Sequence, residues 1–154
     1  MREPTERRLS DDEMAGWLPL IRTAQLLPQS LDRTLRERAG INHAHYVILI
    51  TLAQDGDRFV TLSELARGAG LSRSRLSHAL DALARRGWIE RTSCSSDKRT
   101  QSAVLTDEGR RVVRGAAPAH VAQIRGLLGR LDAEERESLA ALLSKLLPGI
   151  EEAL

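Results

Sequence analysis

Cysteine occurs once in this chain, at Cys94, so it cannot build a disulfide framework or a thiolate metal site by itself. Aromatic residues are almost as scarce, and Trp17, Tyr46, Phe59 and Trp88 are the whole set. The core must therefore be aliphatic. Lysine is confined to Lys98 and Lys145, the rest of the 23 basic residues being arginine, a bias that suits GC-rich coding. No apolar run approaches the roughly 18 residues of a membrane span. The first residues, MREPTERRLSDDE, lack the apolar centre of a secretory leader. A cytoplasmic protein with no membrane partner is expected.

At 154 residues the length suits a single domain, 1–154, which buries roughly 70% of the surface its unfolded chain exposes. Hydrophobic residues make up 42% and charged residues 29%, an ordinary globular profile. The net charge of +2 says little until it is divided along the chain. Residues 1–57 sum to −2, residues 58–111 to +5 and residues 112–154 to −1. A basic middle between acidic flanks is the electrostatic footprint of a phosphate-binding surface, although a solvated arginine face carries the same signature.

Capping chemistry marks the helix starts. Ser10 with Glu13, Thr61 with Glu64 and Asp132 with Glu135 form capping boxes, while Thr106 and Asn42 supply two further caps. A first helix is predicted from Asp11 to Ala39, with Pro19 and Pro28 interrupting it and a kink or break near Leu27. A second spans His43 to Gln54, and Asp55-Gly56-Asp57 is a turn. After a short extended piece, Arg58 to Thr61, come two compact helices, Leu62 to Ala69 and Ser72 to Gly87, separated at Gly70. In the latter, Leu76, Leu80 and Leu83 recur at i, i+4 and i+7 as a buried stripe. Trp88 to Thr92 reads as a strand, Ser93 to Thr100 as a polar turn, and Gln101 to Leu105 as the returning strand.

From Thr106 the pattern is helical to the end. Leu127, Leu128 and Leu131 close one helix. The last carries Leu139, Leu142, Leu143, Leu146, Leu147 and Ile150, a seam wider than a lone surface helix needs. That surplus predicts a homodimer, with Trp17, Leu18 and Ile21 of the first helix sharing the interface. The competing reading folds the same seam onto the first helix within one chain.

Helix, tight turn, helix and hairpin is the order of a winged helix-turn-helix. The fold class is mainly α, with a small two- or three-stranded antiparallel wing sheet. With the leucine stripe inside, the second compact helix turns Arg73, Ser74, Ser77, His78 and Asp81 outward, with Arg75 at the border. Ser72 caps it, leaving first-turn amides to meet a phosphate. Arginine suits guanine edges, serine a phosphate or base, and histidine an acceptor, so this helix is expected in a major groove. The hairpin tip Asp97-Lys98-Arg99 suits a minor groove, Asp97 holding the Arg99 guanidinium in place.

On these residues the chain resembles the MarR family of bacterial transcriptional regulators. Leu62-Ser63-Glu64-Leu65-Ala66, Leu71-Ser72, and Leu83-Ala84-Arg85-Arg86-Gly87-Trp88-Ile89-Glu90-Arg91 carry the resemblance, followed by Asp97-Lys98-Arg99 and Val104-Leu105-Thr106-Asp107-Glu108-Gly109. The resemblance implies a DNA-binding lobe at 42–108, dimerisation helices at 10–39 and 109–154, and a homodimer gripping a pseudo-palindromic double-stranded operator as a repressor. Ser72, Ser74, Ser77 and His78 fall where such proteins touch bases or phosphates, and Asp97 and Arg99 fall on the wing pair. Many members have arginine where this chain has His78. The resemblance also implies a small aromatic or phenolic acid as effector. Trp17, Arg22, His43, His45 and Tyr46 are the polar or aromatic residues nearest the expected junction.

Other classes have less behind them. Redox sensing through Cys94 would use the basic wing to lower the thiol pKa, but family members that sense peroxide carry their cysteine in the first helix. His43, His45, His78 and His120 lack a carboxylate pattern for a metal, and no cofactor motif is present. No catalytic triad order, phosphate loop or paired carboxylate points to an enzyme. A protein-interaction module that kept the fold without DNA binding has only the near-neutral net charge in its favour.

Overall fold

The structure, a computed structural model, describes residues 8–94 and 97–153, with backbone alone for 93, 94 and 97–100. The elements run α1 (Asp11–Ala39), α2 (His43–Gln54), β1 (Val60–Thr61), α3 (Leu62–Ala69), α4 (Arg73–Arg85), β2 (Ile89–Cys94), β3 (Asp97–Leu105), α5 (Asp107–Leu128) and α6 (Ala133–Glu151). Two compact units result, one up to Ala119 and one from His120 onward.

The expected caps are formed. Ser10, Thr61 and Asp132 each accept the N3 amide and receive the glutamate in return. Asn42 accepts the His45 amide at 2.7 Å. The expected break in α1 does not occur, because one helix passes unbroken through Pro19 and Pro28. Each proline removes one amide donor, and both lie in a solvent-exposed stretch where water can take up the freed carbonyls. Beside Pro28, the Gln29 side chain also donates to the Gln25 carbonyl at 2.9 Å.

The hairpin is longer than its hydrophobic alternation suggests. β2 continues to Cys94, and Asp97 to Thr100 belong to β3 instead of a turn. Ser93 pairs with Gln101 and Cys94 with Asp97, with a shift in register between the two pairs. The short piece before α3 contributes only Val60 and Thr61, which pair with Ala103 and Ser102 and make β1 the third strand of a sheet ordered β1-β3-β2. α4 also ends two residues early, at Arg85.

The core of the first unit is aliphatic, as the scarcity of aromatics requires. Leu76, Leu80 and Leu83 of α4 are fully buried with Ile48, Leu49 and Leu52 of α2, Leu65 of α3, and Val60 and Ala103 of the sheet. Tyr46 is the one aromatic ring in this cluster. α5 is fastened where it begins. Thr106 donates its hydroxyl to the Gly87 carbonyl at 2.7 Å and its amide to that of Trp88 at 3.1 Å. Arg110 reaches the Gly56 carbonyl at 3.2 Å and also pairs with Asp57.

α1 meets α2 through Leu35, buried in the same aliphatic cluster, and through the Asp32 carboxylate. Asp32 accepts the His43 backbone amide at 2.8 Å and pairs with Arg36 at 2.6 Å. The amide bond, helped by Arg36, holds Asp32 below the ordinary carboxylate range. His43 and His45 are both partly buried, and that burial pushes both below the ordinary histidine value. The Asp32 charge opposes the shift at His43, whereas Arg86 and Arg36 reinforce it at His45.

In the second unit, Arg136 closes the α5–α6 turn by donating to the carbonyls of Leu128, at 3.3 Å, and Leu131. No residue of α6 is buried, and Leu142, Leu147 and Ile150 are each more than half exposed.

Two predictions follow from this packing. A Cβ added at Gly109 would lie 2.1 Å from the Trp88 carbonyl oxygen, whereas one at Gly115 meets nothing within 4 Å. Gly109→Ala should lower the unfolding free energy by about 1–3 kcal/mol, and Gly115→Ala should raise it by roughly 0.5–1 kcal/mol. Urea denaturation of both variants checks the contrast, which equal effects would refute. The second concerns pH. Histidines whose folded pKa is depressed are neutral in both states above pH 7, but the unfolded chain takes up protons first as pH falls through about 6.5. Stability should therefore decline as pH falls below about 7. Asp32, depressed below 3.8, loses its contribution only in stronger acid. The His43→Gln/His45→Gln variant should flatten the decline, and a slope as steep as that of the parent would exclude these two groups as its source.

Candidate nucleic-acid interface

α4 is oriented by its buried stripe. Because Leu76, Leu80 and Leu83 are fully enclosed, the opposite face must look outward. Arg73, Ser74, Arg75, His78 and Asp81 are exposed there, and Ser77 is half-buried at the margin. The turn leading into the helix has Gly70 at φ +62°, a left-handed conformation that side chains resist. Ser72 then caps α4, its hydroxyl accepting the Arg75 amide at 3.4 Å. The first-turn amides have no acceptor within the helix and sit at the positive end of its dipole, where an anion binds.

The face is chemically mixed: two guanidiniums, two hydroxyls and an imidazole lie along the first two turns. Its one carboxylate, Asp81, is engaged by Arg91 of β2. The same guanidinium donates to Gln101 Oε1 of β3 at 2.6 Å. Sequence reasoning gave Arg91 no functional part, since the pairing joins residues across the α4–β2 turn. The one available signal was an acidic side chain on a face otherwise suited to phosphate. Beyond the helix, the Arg86 guanidinium lies 4.6 Å from the centre of the Trp88 ring.

The wing residues Asp97, Lys98 and Arg99 stand on the first residues of β3, opposite the end of β2. Their side chains, and that of Cys94, lie outside the described residues, so the Asp97–Arg99 pairing expected from sequence does too.

The residues expected around an effector are not gathered into one site within a chain. His43 and His45 lie together in the first turn of α2. Tyr46 is 1% exposed and belongs to the core, where burial raises its pKa. Trp17 and Arg22 are exposed on the N-terminal half of α1. At 1.5 Å per residue, Trp17 lies about 22 Å along the helix from Asp32, which touches His43.

The residues expected at a dimer interface are available on the surface. Trp17, Leu18, Leu139, Leu142, Leu143, Leu146, Leu147 and Ile150 are exposed, and Ile21 is partly buried. Among the described residues, no helix is long and apolar enough to cross a membrane.

Comparison with known proteins agrees with this geometry. The MarR family model matches residues 41–100, the span from the start of α2 into β3. Sco3205, a MarR family transcriptional regulator from Streptomyces coelicolor solved in complex with DNA, is 41% identical and superposes with a TM-score of 0.85, covering 93% of this chain and 94% of its own. AbsC, a MarR family regulator from the same organism, is 30% identical with a TM-score of 0.85 over 95% and 99% of the two chains. The transcriptional repressor MprA of Escherichia coli K12 is 31% identical over 113 residues, 73% of this chain. That match spans 64% of MprA, just under two thirds of its length. With a MarR family regulator 41% identical over nearly the whole of both chains, the chain belongs to the MarR family of transcriptional regulators.

Proposed function

We propose that this protein is a dimeric, sequence-specific double-stranded DNA-binding regulator that represses transcription in the bacterial cytoplasm and is released by a small-molecule effector. The observation that carries the reading is the outward face of α4, where Arg73, Ser74, Arg75 and His78 are exposed beyond a Ser72 cap. Arg73 and Ser74 are taken to read base edges, Ser72, Arg75, Ser77 and His78 to hold phosphates, and the wing residues Asp97, Lys98 and Arg99 to follow the adjacent minor groove. The DNA complex of the 41%-identical Sco3205 supports the same reading. No enzymatic activity is proposed.

Dimerisation is assigned to α1 and α6, because each by itself shows exposed apolar side chains, Trp17 and Leu18 on the first and Leu142, Leu146, Leu147 and Ile150 on the second. Two recognition helices must then fall roughly 34 Å apart, one turn of DNA, so a small change in lobe angle releases the operator. For the effector, a small aromatic or phenolic acid, support narrows to His43 and His45 beside Asp32, with Trp17 and Arg22 contributing only if a second chain brings them near.

Binding to a duplex taken from upstream of its own gene should weaken steeply with salt, as counterion release requires. Arg73→Ala should cost about 1–3 kcal/mol of specific binding, read by fluorescence anisotropy against a scrambled duplex. Equal loss on both duplexes would remove Arg73 from base reading. Light scattering at micromolar concentration should give twice the mass of one chain, and a monomer there would remove the symmetric-operator model.

A further inference from the structure

We propose that Arg91, Asp81 and Gln101 form a bracket that fixes the wing against the recognition helix, making Arg91 a positioning residue for DNA recognition; this deepens the DNA-binding reading and rests on it. Arg91 stands on β2 two residues beyond the buried Ile89, on the same side of the strand. Its Nη1 pairs with Asp81 of α4, and its Nη2 donates to Gln101 Oε1 of β3 at 2.6 Å. A planar guanidinium fork can hold two acceptors in fixed directions, so one side chain joins three elements. Gln101 lies diagonally across the ladder, since Arg91 pairs with Ala103, and such diagonal positions are within reach of long side chains.

The position of the bracket gives it a purpose. β1 pairs with Ala103 and Ser102 only. From Gln101 outward, β3 has β2 as its single partner, and the register slips between Ser93 and Cys94. A two-stranded ribbon is marginal in water and free to swing about its base. Arg91 grips that base at the first residue the third strand no longer covers. It also answers an electrostatic problem, because Asp81 lies three residues after His78 on the face offered to phosphate. Unpaired, that carboxylate would repel the DNA backbone.

Arg91 differs from the arginines that meet solvent on α4. Its side chain is 23% exposed, and both outer nitrogens are committed inside the protein. Asp81 is 49% exposed, so water screens the pair and its share in global stability is small. The bracket acts through geometry.

The test uses the full chain and two duplexes, one from upstream of its own gene and one scrambled, titrated by fluorescence anisotropy over a salt series. Asp81→Ala removes a negative charge from the DNA-facing surface, so charge alone predicts tighter binding to both duplexes. The bracket predicts that the ratio of specific to scrambled affinity falls about tenfold. Arg91→Ala should lower the ratio similarly with the salt slope unchanged, Arg91→Lys should recover part of it, and the double variant should be no worse than Arg91→Ala alone. Gln101→Ala carries the same expectation in a weaker form if Arg91→Ala fails to fold. An unchanged ratio in Asp81→Ala, additive losses in the double variant, or a salt slope reduced by about one in Arg91→Ala would overturn the bracket, the last because it marks Arg91 as a direct phosphate contact. Salt-independent binding, or no binding, by the parent chain would overturn the DNA-binding reading itself, whereas normal parent binding with unaffected variants removes the bracket alone.

Discussion

Burial of Leu76, Leu80 and Leu83 is the contact on which the rest of this molecule depends. Three leucines on one side of a thirteen-residue helix turn the other side to solvent, and the helix has no freedom to roll without exposing them. Their packing partners come from α2, α3 and the sheet, so the same contact fixes the helix-turn-helix angle and seats the wing. At about 2–5 kcal/mol for truncating a buried leucine, each of the three is a large part of what a domain of this size has to spare. The polar face adds little to stability and is free to be chosen for recognition.

Around that contact, polar groups reinforce junctions that the core already joins. Asp32 ties α1 to the first turn of α2, Thr106 and Arg110 seat the start of α5, and Arg91 links α4 to both strands of the wing. Each sits at a junction between helices or between a helix and the sheet. Such junctions are where a small shift in geometry is felt first. His43 beside Asp32, with His45 two residues on, places titratable groups at one of them.

Much of the recognition helix was legible residue by residue. Its cap at Ser72, the break at Gly70 and the leucine spacing each have a local physical cause, so the outward set followed directly. The wing was legible as a hairpin but not in extent, because β2 runs on to Cys94, which pairs with Asp97 after a shift in register that composition does not report. Of the kink or break expected in α1, the break does not occur, for a related reason: the penalty depends on whether the freed carbonyls meet water, and that is known only once exposure is known. The effector set suffered most. Sequence placed five residues near one junction, yet Tyr46 went to the core and Trp17 to the far half of a long helix.

What the sequence determined by itself was everything governed by neighbours within a few residues: helix starts, the tight turn, the periodic apolar faces, and hence the class of fold and the character of its exposed helix. What only the tertiary structure decided was which distant residues meet. Arg91 finds Asp81 ten positions away and Gln101 ten positions in the other direction, because a turn and a strand register bring them together. Local capping and periodicity involve short-range geometry that a linear reading contains. Pairing across elements is set by how cores pack, and no spacing rule along the chain encodes it.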